Sequence, residues 1–167
     1  ACSRLGVAGR VLLGTPPARA AGPARVYADS GMAWLDAAET LAGPAPDAPA
    51  DALSLADADE VAADIAACAE AFGADALVTY DAGGGYGHPD HVFLHGAARA
   101  AASGLVLPFF ELSDAAGAVV VDASAPLDAA ASALRSYASQ LRVEGDELVH
   151  VGGQRQPIAV RVGVRRP

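Results

Sequence analysis

The order of patterns between Ala56 and Ser103 narrows the folds open to this chain more than any other feature. Val61, Ile65, Cys68 and Phe72 recur at steps of four, three and four, which lays them along one stripe of a helix that Gly73 can end. Ala76-Leu77-Val78-Thr79-Tyr80 follows at once, an apolar and β-rich run expected as a buried strand, and then comes the glycine-laden turn from Asp81 to Gly87. His88-Pro89-Asp90-His91 opens a second helix, expected to run to about Ser103, with Pro89 suited to the first helical position. Helix, buried strand, special loop and helix is the alternation of an α/β fold.

The rest of the chain is read around that frame. Gly9 to Gly14 is a short apolar run bounded by glycines, predicted as a strand, and Thr15 to Ala52, rich in Pro, Gly and Ala, is predicted as a long loop. Strands are expected at Val106–Leu112 and Ala118–Val121, and a helix from about Pro126 to Gln140 that Asp122 or Ser124 could cap. Leu141 to Val151 reads as a hairpin turning at Glu144-Gly145-Asp146, and Ile158 to Val164 alternates as an edge strand would. With 167 residues the chain can bury one ordinary core, so a single domain over 1–167 is expected.

Charge and cysteine content limit the partners. Twenty acidic residues against 11 basic ones, all of them Arg, leave a net charge of −9, which repels phosphate backbones and anionic lipid, so neither nucleic acid nor a membrane surface is an expected partner. No stretch reaches the roughly 20 apolar residues of a spanning helix. Cys2 and Cys68 are too few for a disulfide framework or a zinc knuckle, which fits a reducing, cytoplasmic setting.

Chemistry concentrates after the predicted buried strand. His88, His91 and His95, three of the four histidines, fall within eight residues, at the place where open α/β sheets bind ligands. His88 and His91 are three apart on a first helical turn and can serve one site. Neutral imidazole is a common zinc ligand, and Asp90 can bind metal or fix the tautomer of a neighbouring His. Tyr86 puts a phenol at the lip of the loop. A lone histidine at a helix start is more often a cap or a solvated side chain, but this density in this place outweighs that reading. His95, one turn further on, reads as an ordinary helix residue. A dinucleotide loop fails on register, because a GxGxxG fingerprint needs Gly where His88 or Asp90 stands.

The run Thr79 to His91, TYDAGGGYGHPDH, resembles the second signature of the PIG-L/LmbE de-N-acetylases. Tyr27-Ala28-Asp29-Ser30-Gly31-Met32 is similar to the RDSGM segment of the actinobacterial branch that includes mycothiol-pathway deacetylases, and Ala133 to Gln140 to the family's last helix. The resemblance implies a Rossmann-like three-layer α/β sandwich with a mostly parallel sheet, and zinc-assisted hydrolysis of an N-acetyl group from an N-acetylglucosamine-type conjugate. It implies one Zn2+ with His91 as ligand, and His88 as an imidazolium that stabilises the oxyanion and protonates the leaving amine. Asp90 would orient His88, Tyr86 would assist at the carbonyl, and Asp29 and Gln140 would contact substrate. The family's first signature, of AHPDD type, supplies the other two ligands and the general base. It does not occur in this chain, so the N-terminal strand and helix are expected to be missing and the segment to be inactive alone. The alternative is a binding module of the same fold without a metal site. The sequence is compatible with a homo-oligomer.

Overall fold

The computed structural model describes residues 1–38, 40–113, 118–122, 127–158 and 161–167. The architecture is mixed α/β. Its elements are β1 (Ala33–Trp34), β2 (Ala42–Gly43), α1 (Ala58–Phe72), β3 (Leu77–Thr79), the single turn α2 (Gly84–Gly87), α3 (Pro89–Leu105) and β4 (Phe109–Leu112). They are followed by β5 (Val119–Asp122), α4 (Leu127–Leu134), β6 (Leu141–Glu144), β7 (Glu147–His150), β8 (Arg155–Pro157) and β9 (Arg161–Arg165). Contacts divide the chain into two compact units, Val11–Ala118 with Val164–Pro167, and Ala1–Arg10 with Val119–Gly163.

In the larger unit α1 forms where its stripe predicts. Asp57 caps it by accepting from the backbone N–H groups of Asp59 and Glu60, and Gly73 closes it at φ 60°. Asp59 and Glu60 place negative charge at the positive end of the helix dipole. Val61 is fully buried, whereas Phe72, on the last turn, is 53% exposed. Alanines let α1 and α3 approach closely: Val61, Ala62 and Ala97 form one cluster, packed by Ile65, Phe93 and Leu94. Ala98, Ala102 and Phe109, with Ile65 and Leu77, then join the helices to the sheet. Burying a side chain such as Phe109 stabilises by about 1.5–3 kcal/mol. In that sheet β3 runs parallel to β4, with Thr79 opposite Glu111, and β4 is antiparallel to β9, with Glu111 opposite Arg165. β9 has β4 on one side and β5 on the other, so it is not the edge strand expected of Ile158–Val164.

The strand predicted at Gly9–Gly14 does not form. The chain is irregular there and turns, with the Gly14 N–H donating to Ala18 O at 2.8 Å and the Arg25 N–H to Gly14 O at 2.9 Å. The Gly14 N–H and carbonyl, and the Leu12 carbonyl that accepts from Thr15, are satisfied by this turn instead of a ladder. Gly14 permits it, since a Cβ there would stand 2.5 Å from the Arg25 carbonyl oxygen. Among the described residues, the long loop after Thr15 carries the short antiparallel pair β1–β2 and a single parallel bridge between Ala28 and Ala52. At the far end of α3, Val106 is the C-cap, at φ 56° and 89% exposed.

The smaller unit has a core of Ala131, Leu148 and Ile158, packed by Leu127, Leu134, Leu141 and Val143. The predicted hairpin is β6–β7, turning through Gly145 at φ 64°, and β8 adds antiparallel to β7. The helix predicted to reach Gln140 is shorter: α4 stops at Leu134 and tightens into a 3-10 turn over Arg135–Tyr137. Its predicted cap Ser124 lies outside the described residues, as does the side chain of Asp122. Among the described residues no helix is long and apolar enough to cross a membrane.

Candidate active site

The end of β3, the glycine loop and the first turn of α3 converge with the segment Asp29–Gly31. His88 is the N-cap of α3, and the Asp90 N–H donates to its Nδ1 at 3.3 Å. That bond needs a lone pair on Nδ1 and leaves Nε2 as the ring's donor. The Asp90 carboxylate is buried and held by three donors. Its Oδ2 accepts the Ser30 N–H at 3.1 Å, and its Oδ1 accepts the Ser30 hydroxyl and the Ser54 N–H, the latter at 3.1 Å. The Ser54 hydroxyl donates to Ser30 Oγ at 2.7 Å. Asp90 thus ties the loop to α3, with its Oδ2 4.0 Å from His88 Nδ1.

Asp29 reaches the same place from the loop. The Gly31 N–H fixes its Oδ1 at 2.7 Å, and that oxygen lies 3.7 Å from His88 Nε2, on a side chain that is largely exposed. Asp29, His88 and Asp90 offer ligand atoms that all lie within 4.8 Å of one another, a group of the right donor types for a divalent cation.

His91 stands beside this group with a different orientation. Its Nδ1 is 3.2 Å from the carbonyl oxygen of Gly84, which can only accept, so the proton sits on Nδ1 and the lone pair on Nε2. A metal-binding histidine is held in this way, one nitrogen donating to a carbonyl and the other free to ligate. The ring stacks on Tyr80, with centroids 3.8 Å apart and planes 4° from parallel, and lies 4.9 Å from the His88 ring. Tyr86 is 65% exposed and meets His91 edge-on at 5.3 Å and His88 at 5.9 Å.

Five of the six site residues expected from the sequence, Asp29, Tyr86, His88, Asp90 and His91, therefore come together. Gln140 belongs to the other unit, where it is exposed and its carbonyl accepts the Val151 N–H at 3.0 Å. His95 is buried in packing, with Nε2 2.7 Å from Glu111, as an ordinary helix residue would be. Sequence reading missed Ser30, Ser54 and Tyr80. Ser30 lies within the Tyr27–Met32 segment and Tyr80 within the Thr79–His91 run, but no local pattern marks Ser54 as a partner of α3.

No family profile matches the chain. It is 44% identical over 94 residues, 56% of its length and 25% of the relative's, to a protein of Kineococcus radiotolerans named "1D-myo-inositol 2-acetamido-2-deoxy-alpha-D-glucopyranoside deacetylase". It is also similar to a protein of Saccharopolyspora erythraea that carries this name with the number 1, 40% identical over 62% of this chain and 31% of the relative. A protein of a Nocardioides strain with the unnumbered name is 38% identical over 59% and 32%. The chain spans about a quarter to a third of the length of the curated relatives it matches. Over more than half of its own length it is a homologue of these deacetylases.

Proposed function

We propose that this chain is part of a zinc-dependent de-N-acetylase acting on an N-acetylglucosamine-type conjugate, with inositol glycosides the first substrates to try, in a Rossmann-like α/β sandwich. The observation that carries the reading is the pair of opposed imidazoles on one helical turn. His88 has Nε2 as its donor, and His91 has a lone pair on Nε2. One ring is set to hydrogen-bond a developing oxyanion and the other to hold a cation.

In the reaction water adds to the amide carbon, the C–N bond breaks, and acetate and a free amine leave. Zinc, when bound, lowers the pKa of a water and polarises the carbonyl. His91 is this chain's ligand to it; a catalytic zinc takes three protein ligands, and the reading assigns the other two to sequence outside this chain. His88 Nε2–H meets the carbonyl oxygen as negative charge develops there. Asp90, anchored by Ser30 and Ser54, fixes the N-terminal turn that presents both rings. Exposed Tyr86 can reach the same carbonyl, and Asp29 keeps one carboxylate oxygen for a sugar hydroxyl.

The Asp29–His88–Asp90 group is a second place for a cation. Against it, His88 Nδ1 is already occupied by an N–H, and three of the Asp90 acceptor positions are filled. Metal content and amine release, measured on the complete protein, separate the two. His91→Ala is expected to lose bound zinc and activity together. His88→Ala is expected to keep the metal and lose about 100-fold or more in kcat, as removal of an oxyanion donor does. Zinc lost from His88→Ala and kept by His91→Ala would move the ion to the other group, and amine release that resists chelators would end the zinc reading.

A further inference from the structure

We infer that Tyr80 and the carbonyl of Gly84 are positioning groups for His91, which together hold its ring as the Nδ1–H tautomer and aim its Nε2 lone pair. The inference rests on the reading of His91 as a metal ligand and extends it to two residues of the same run, to which the resemblance assigns no function.

Gly84 is placed for this by its backbone. It is buried at φ +66°, and a Cβ there would stand 2.8 Å from both the Val92 backbone nitrogen and Cγ2, and 3.1 Å from His91 Cβ. Only glycine lets the loop lie this close to α3, and the closeness brings its carbonyl to 3.2 Å from His91 Nδ1. The loop is fixed in turn by Asp81, whose carbonyl accepts the Gly84 N–H at 2.9 Å and whose Oδ1 accepts the Gly85 N–H at 3.1 Å.

Tyr80 controls the ring plane. It directly follows β3, so its backbone is anchored to the sheet, and its ring lies 4° from parallel to the imidazole at 3.8 Å. Rotation of the imidazole about its bond to Cβ would break this stack and the Gly84 hydrogen bond together. Filling a core does not account for Tyr80, since the residue is 37% exposed. Its phenol makes no hydrogen bond among the described residues, so the ring face is the working part and Phe can replace it.

The test uses the complete protein as wild type, Tyr80→Phe and Tyr80→Leu. Nitrogen-15 spectra of the metal-free protein report which nitrogen of His91 carries the proton, and competition with a chromogenic chelator gives the zinc affinity. Wild type and Tyr80→Phe are expected to show a protonated Nδ1 and equal affinity. Tyr80→Leu is expected to show a mixture of tautomers and zinc binding weaker by about 10–100-fold, the usual effect of losing a group that orients a ligand. A wild-type His91 protonated on Nε2, or a Tyr80→Leu protein with unchanged spectrum and affinity, overturns the inference. Loss of the wild-type tautomer is visible without metal, whereas failure of the ligand reading appears separately, as zinc retained by His91→Ala.

Discussion

Asp64 sits fully buried on α1, and its charge is tolerated because three donors converge on it: the Ala20 N–H at 2.7 Å, the Tyr27 hydroxyl at 3.0 Å and Arg19 Nη1 at 3.1 Å. Arg19 also bonds Glu60, which pairs with Arg25 at 3.0 Å, and Arg25 lies over the Tyr27 ring at 4.5 Å. Burial, and then the hydrogen bond to Asp64, push the Tyr27 phenol up to about 12. The fold therefore favours the protonated phenol, and that contribution is complete below pH 10.0, the ordinary value, and is lost as pH rises through about 12. Tyr27→Phe is expected to cost about 1–3 kcal/mol by denaturant unfolding, because one donor to a buried carboxylate is gone. An ultraviolet titration of the variant should lack the latest-ionising tyrosine. If the variant is as stable as wild type, Asp64 does not depend on this bond. At this scale the histidine turn was legible, since His88, Asp90 and His91 are neighbours in sequence. Ser30, Ser54 and Asp64 were not, because the residues they hold are 60, 36 and 37 or more positions away.

Between elements, the tie with most at stake is Glu111, which joins α3, β4 and β9. The residue is 2% exposed, its Oε1 is 2.7 Å from His95 Nε2 and its Oε2 accepts from Arg165 Nε at 2.8 Å. Burial alone would raise its carboxyl, but the hydrogen bonds from His95 and Arg165, reinforced by their charge, outweigh it and hold the group below the usual carboxylate range. A depressed value gives stability that is present above the ordinary 4.5 and is lost as pH falls through the folded-state value. Glu111→Gln is expected to lose about 1–3 kcal/mol near neutral pH, and the gap to wild type should close as the pH drops below 4.5. Thermal melts across that range check it, and a gap that widens toward acid contradicts it. The elements on either side were readable because α1, β3 and α3 each carry their own signal: a stripe, a β-rich run, a proline after a cap. The Gly9–Gly14 run carried the composition of a strand, yet a strand needs a partner ladder, and composition does not say whether one is there. The Ser54 N–H on Asp90 shows the converse, a 3-10 turn over Leu53–Leu55 that carries no pattern of its own and is made part of the site by one buried carboxylate.

For the molecule as a whole, the two compact units each carry an apolar cluster of their own, alanine-rich between α1 and α3 in one, and Leu148 with Ile158 in the other. Global stability also answers to a residue remote from any chemistry. Val106 closes α3 at φ 56°, where a β-branched side chain crowds its own backbone, and it projects into solvent with 89% exposure. Val106→Gly is expected to add about 1 kcal/mol and to raise the melting temperature by about 2–4 °C, whereas an unchanged or lower melt would mean that the left-handed cap is not strained. The helix that presents His88 and His91 at one end thus offers a foothold for toughening at the other, so robustness and chemistry can be tuned from opposite tips of one rod.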